Sequence, residues 1–132
     1  KMIKMKKILL VDDDISFKTS LKDCLELEGY DVCCADDGKQ GLSLFKQENP
    51  NLVITDIIMP ETDGLEFILL LKELSQQEII KIIAISGGGR IAGKDYLATA
   101  KVLGANNTFE KPFDLDNLLV CIKQLLPVEQ AT

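Results

Sequence analysis

A doubly wound α/β sandwich is the fold class this sequence predicts, and three observations predict it. Five short apolar runs alternate with five amphipathic stretches along 132 residues. The runs are apolar almost without interruption, which marks strands of a parallel sheet buried on both faces. Internal repeats, linkers and low-complexity segments are absent, and the length suffices for one core rather than two. The expectation is a (βα)5 domain with a five-stranded parallel sheet and right-handed crossovers.

Each element has its own signal. KILLV (7–11) reads as the first strand. Phe17, Leu21, Cys24, Leu25 and Glu28 recur at helical spacing, so a helix is predicted from about Asp14 to Glu28 with Gly29 as its C-cap. DVCCA (31–35) is the second strand, and Ala35-Asp36-Asp37-Gly38 then reads as a turn that opens a helix over about 38–47. Asn49-Pro50 stops that helix before LVITD (52–56), the third strand. The third helix begins near Asp63-Gly64 and carries Leu65, Ile68, Leu69 and Leu71. IKIIAIS (80–86) precedes a helix over roughly 91–102 that ends at Gly104. NTFE (107–110) is a weaker strand, and Leu115, Leu118, Leu119, Ile122, Leu125 and Leu126 give the last helix, closed by Pro127. The domain is expected over 7–126. Residues 1–6 read as an extension, part of it an expression tag because position 1 is Lys, and 127–132 as a tail.

Composition excludes several function classes. A net charge of −6 and a pI near 4.6 argue against nucleic-acid or anionic-membrane partners. No apolar run approaches the ~20 residues of a membrane span, and no signal-peptide pattern opens the chain. Cys24, Cys33, Cys34 and Cys121 form no C-x-x-C pair. Cys24 and Cys121 sit in amphipathic patterns as small core residues, and reduced structural cysteines point to the cytoplasm. Histidine is absent, which removes Ser-His-Asp and Cys-His nucleophile systems and every His-ligated metal site.

Ligands of open α/β sheets bind beyond the carboxyl ends of the strands. There the sequence places Asp12-Asp13-Asp14 after the first strand, Asp56 after the third, Ser86 after the fourth and Lys111-Pro112 after the fifth. Two carboxylates ~4 Å apart repel by about 4 kcal/mol at an effective dielectric near 20. Two aspartates of 12–14 together with Asp56 bring three negative charges, and Lys111 returns one positive charge. A divalent cation supplies the rest. With oxygen donors alone, Mg²⁺ or a similar hard ion is the expectation, bound by carboxylates, water and a phosphate.

VDDD after the first strand, ITDIIMPETDGLE around Asp56, IAISG and GANNTFEKPF together resemble the receiver domain of bacterial two-component response regulators. The resemblance runs from Lys7 to about Leu126. It implies a flavodoxin-like strand order of 2-1-3-4-5. It also implies a phosphorelay role in which Asp56 accepts a phosphoryl group from a phosphohistidine. The donor is a separate histidine kinase or histidine phosphotransfer protein, since this chain has no histidine. On the same resemblance Asp13 and Asp56 touch Mg²⁺, Asp12 helps through water and the backbone carbonyl of Ile58 is a further ligand. Lys111 pairs with one phosphoryl oxygen, Ser86 donates to another, and Asp14 is left as a helix N-cap. The Lys111-Pro112 bond is cis in such domains, and the chain catalyses only its own phosphorylation and dephosphorylation.

Two positions depart from the pattern. The family's aromatic switch falls on Thr108, with Phe109 beside it, so Ser86 and Thr108 are the switch candidates. Gly87-Gly88-Gly89 frees the loop after Ser86. Signalling is therefore expected to rely on that loop and the fourth helix. The face of the fourth helix, fifth strand and fifth helix is where such domains dimerise or bind targets. Lys94, Tyr96, Lys101, Asn106, Asp116 and Lys123 are its candidates here.

Rival readings exist. GGRIAGKD (88–95) has the spacing of a phosphate-binding P-loop, but Asp95 stands where a hydroxyl should hold Mg²⁺. Asp12-x-Asp14 resembles the nucleophile motif of haloacid-dehalogenase-type phosphatases, a reading that leaves Asp56 idle. A flavin-binding flavodoxin would need a hydroxyl-rich phosphate loop in place of three aspartates. A receiver-like scaffold that is never phosphorylated is the remaining alternative. After Leu126 only PVEQAT follows, so the chain reads as a stand-alone regulator or a piece of a longer one.

Overall fold

The computed structural model describes residues 5–59, 62–75, 80–87 and 91–127, the side chains of 59, 62–63 and 91–95 excepted. Strands β1 (Lys7–Val11), β2 (Asp31–Ala35), β3 (Leu52–Asp56), β4 (Lys81–Ser86) and β5 (Asn107–Glu110) form one parallel sheet. Its order is β2-β1-β3-β4-β5. Helices α1 (Ile15–Leu27), α2 (Gly38–Glu48), α3 (Gly64–Ser75), α4 (Ile91–Leu103) and α5 (Leu115–Leu125) follow the strands in turn. A two-residue antiparallel ribbon, Ile58–Met59 against Thr62–Asp63, lies between β3 and α3.

The sheet buries both faces, as its apolar strands require. Ile8, Leu10, Leu52, Ile54, Ile83 and Ile85 point to one face and pack against Leu21 and Leu25 of α1 and Leu118 and Ile122 of α5. Leu9, Val11, Val53, Ile82 and Ala84 point to the other, against Phe45 of α2, Phe67, Ile68 and Leu71 of α3 and Ala100 of α4. Burying each large aliphatic side chain contributes about 1.5–3 kcal/mol. Strand β3 is central and buried at all five positions, so Asp56 at its end faces the tip of the molecule from the middle of the sheet.

Aspartates open three helices. The carboxylate of Asp14 accepts from the N–H of Phe17, that of Asp37 from Gln40 and that of Asp114 from Asp116. After α1, Gly29 takes φ +98°, the left-handed conformation that glycine adopts without strain.

Some inward positions differ from expectation. Leu69 is 43% exposed, because Phe67, Ile68 and Leu71 form the inward row of α3. Leu115 opens α5 half in solvent, Cys24 is half-buried, and Glu28 is an exposed C-cap. Lys18 is buried, although a lysine is a residue type that ordinarily stays at the surface. Strand β4 starts at Lys81 rather than Ile80, although Ile80 remains buried. All four cysteines are free thiols. Among the described residues, no helix is long and apolar enough to cross a membrane. Residues 1–4, 128–132 and Gly88 and Gly89 of the glycine loop, with part of the P-loop-like stretch, lie outside the described residues.

Candidate functional site

The strand ends converge because parallel pairing puts all five carboxyl ends at one edge. Just past β1, the N–H of Asp12 donates to Ala35 O at 3.1 Å, extending the β1–β2 pairing by one residue. This turns the Asp12 side chain inward, where it is 1% exposed, while Asp13 stays at the surface. Asp12 uses both oxygens: Oδ1 accepts from the N–H of Asp14 at 2.9 Å and Oδ2 from Lys111 Nζ at 2.9 Å. Asp56 is also buried, and its Oδ1 accepts from the N–H of Ile58 at 2.9 Å.

The structure thus brings together Asp12, Asp13 and Asp56, with a carboxylate oxygen of each within 4.8 Å of the others. Lys111 joins them. Its own N–H donates to Ser86 O at 2.8 Å, stitching the end of β5 to the end of β4, and its bond to Pro112 is cis. Burial pushes the Asp56 carboxyl up to about 6, the Ile58 N–H and Lys111 pull it down, and Asp12 and Asp13 push it up. One ammonium therefore does not compensate three carboxylates. The donor set is oxygen alone, crowded and short of positive charge, and it fits a hard divalent cation.

Ser86 is fully buried, and its hydroxyl donates to the carbonyl of Gly87 at 3.3 Å. Thr108 is half-buried in β5, opposite Ala84 of β4, and the following Phe109 packs into the α1–α5 side of the core. The backbone of Ile58 is in the two-residue ribbon, paired with Asp63.

Of the surface candidates, Tyr96, Lys101 and Asp116 are exposed. Asn106 instead caps the start of β4, accepting from the N–H of Ile82 at 2.8 Å, and Lys123 pairs with Glu28 at 2.9 Å. Both therefore already have structural partners. The side chain of Lys94 is outside the described ones.

Two side chains of this region make contacts that the sequence did not announce. Phe17 places its ring centroid 4.0 Å from Lys111 Nζ. Lys18 reaches from α1 to Ala35 O at 3.4 Å and forms an ion pair with Asp36. The spacing of Lys18 with Leu21 and Leu25 did signal an inward position. A cleft of about 600 Å³ opens on the α1 side of Lys111, walled by Phe17, Leu21, Pro112 and Phe113.

Comparison with known proteins places this geometry. The family model for the response regulator receiver domain matches residues 8–123. The sporulation initiation phosphotransferase F of Bacillus subtilis is 33% identical over 123 residues, covering 93% of this chain and 95% of that protein. A probable transcriptional regulator, ycf27 of Cyanophora paradoxa, is 39% identical over 94% of this chain, which spans only 49% of that relative's length. Among solved structures, a CheY-like response regulator receiver domain protein from Methanospirillum hungatei superposes with a TM-score of 0.80 at 31% identity, over 92% of this chain and 93% of that one. An acidic cluster and a lysine on the carboxyl edge of a 2-1-3-4-5 sheet, matched almost end to end by these proteins, show that the chain belongs to the response regulator receiver domain family of two-component signalling.

Proposed function

We propose that the domain, residues 7–126, is a Mg²⁺-assisted phosphoacceptor in which Asp56 takes the phosphoryl group from a phosphohistidine of a partner kinase or phosphotransfer protein. The observation that carries this reading is the buried Asp56 carboxylate with Asp12 and Asp13 within 4.8 Å and Lys111 beside them. Oδ1 of Asp56 is held by the Ile58 N–H, which leaves Oδ2 to attack phosphorus. The new Oδ2–P bond forms as the P–N bond breaks, and the imidazole leaves with the electron pair and takes a proton from solvent. Such transfers pass through a loose transition state, so positioning and charge neutralisation are most of what the protein supplies.

Asp12, Asp13, Asp56 and the Ile58 carbonyl are the groups that would hold Mg²⁺, which when bound neutralises charge on the transferring oxygens. Lys111 donates to one phosphoryl oxygen. Ser86, released from the Gly87 carbonyl, donates to a second, and Ser86 and Thr108 then carry the change into the β4–α4 loop and the face of α4, β5 and α5. That face is the candidate surface for a target or a second copy of the chain. Attack by water on the aspartyl phosphate returns the carboxylate and inorganic phosphate, the only turnover this reading allows. A cytoplasmic setting suits both the kinase partner and the free thiols.

The test is intact mass after incubation with acetyl phosphate and Mg²⁺, with and without chelator, beside Asp56→Asn. A labile phosphoryl adduct that needs Mg²⁺ and is lost in Asp56→Asn is the expected result. No adduct under any condition would favour the unphosphorylated scaffold, and an adduct on Asp12 would favour the phosphatase reading.

A further inference from the structure

We propose that Phe17 is a positioning residue for Lys111 in phosphoryl transfer to Asp56, a role that rests on the phosphoacceptor reading above. A lysine ammonium is a compact charge on a flexible four-carbon stem, and a single hydrogen bond leaves it wide freedom. Here the bond to Asp12 Oδ2, at 2.9 Å, is joined by a second restraint, the face of the Phe17 ring 4.0 Å from Nζ. The ring attracts the cation through its quadrupole and keeps water from that side. With the carboxylate on one flank and the ring on another, the remaining N–H donors are directed to the site where phosphoryl charge develops.

The ring is itself held. Phe113 meets it edge to face, with centroids 6.0 Å apart and planes at 84°, and Phe109 braces Phe113 at 5.4 Å. Phe109, Lys111 and Phe113 belong to one short segment at the end of β5, and Phe17 to the first turn of α1. Cation and ring are thus delivered by two elements already pinned to the same sheet. An aromatic ring whose only task was to fill the α1–α5 side of the core would not need to face an ammonium.

Two readouts test this on the full chain. First, in Lys-labelled protein the Lys111 Hε protons should resonate upfield of the other lysines because they lie over the ring. Phe17→Leu should return them to the ordinary position, and Phe17→Tyr should keep them upfield. Second, the rate of adduct formation at saturating acetyl phosphate and Mg²⁺ should fall roughly three- to tenfold in Phe17→Leu, the span of a partly desolvated cation–π contact, and recover in Phe17→Tyr. An ordinary Lys111 position in the unsubstituted protein overturns the proposal, and so does an unchanged rate in Phe17→Leu. Should Phe17→Leu fail to fold by thermal unfolding, Phe17→Met carries the same comparison. No adduct on the unsubstituted protein sinks the phosphoacceptor reading, whereas a normal adduct formed equally fast without the ring sinks the Phe17 proposal alone.

Discussion

Burial pushes the Asp56 carboxyl up to about 6 from an ordinary 3.8, so the folded chain binds that proton more tightly than the unfolded chain does. Below about 3.8 the group is protonated in both states and costs folding nothing. As pH rises from 3.8 through 6 the unfolded chain loses the proton first, and stability falls by about 2–3 kcal/mol from this residue alone. Asp56→Asn keeps an oxygen for the Ile58 N–H and cannot ionise. In chelator it is therefore expected to unfold at higher temperature than the parent at pH 7.5, with the gap shrinking toward pH 4. A gap of equal size at both pH values would refute the assignment of the cost to Asp56. The charged residues of this site were legible because each stands at a strand end, where near-continuous apolar runs break into polar residues. Phe17 was legible only as a core position, since periodicity gives the face of a helix and not what a ring meets across it. Lys18 was missed for a related reason: its burial depends on Ala35 and Asp36, partners that only the folded chain brings near.

The five strands and the helix starts followed from local chemistry, and the caps carry measurable free energy. Asp37→Ala removes the acceptor for the Gln40 N–H at 2.8 Å and should cost about 1 kcal/mol by denaturant unfolding. The start of α3 depends instead on a close approach that no propensity reports. A Cβ added at Gly64 would lie 2.5 Å from the carbonyl oxygen of Ile57, an approach that backbone cannot yield to cheaply. Ile57 separates Asp56 from the Ile58 N–H that holds it, so Gly64→Ala should cost about 1–3 kcal/mol and also slow adduct formation. Gly87→Ala is the control. Among the described residues its Cβ would meet nothing within 4 Å, and its stability should stay within about 0.5 kcal/mol of the parent. Leu69 marks where local reading failed: one position beyond Ile68, it turns out of the inward row although its residue type suits the core.

Alternating strands and helices fixed neither the order of the sheet nor which loops meet; that order came from the family resemblance, and the structure has it as β2-β1-β3-β4-β5. The order matters for charge. It sets β1 against β3, and so gathers Asp12, Asp13 and Asp56 at one spot of a molecule whose net charge is already −6. A cation that binds only this gathered arrangement must stabilise the whole fold by mass action, by about 2.7 kcal/mol at a hundred times its dissociation constant. Mg²⁺ should therefore raise the unfolding temperature of the parent, and a chelator should reverse the rise. Asp13 is exposed, so Asp13→Asn should fold normally and match or exceed the parent in chelator, having lost one of three repelling carboxylates. The Mg²⁺-dependent rise should shrink sharply in that variant. Screening of an acidic protein by added salt would also raise stability, but diffusely and in both proteins alike. A matched ionic strength of NaCl separates the two effects, and an equal response of parent and Asp13→Asn to Mg²⁺ would mean that the three aspartates are not where the cation binds.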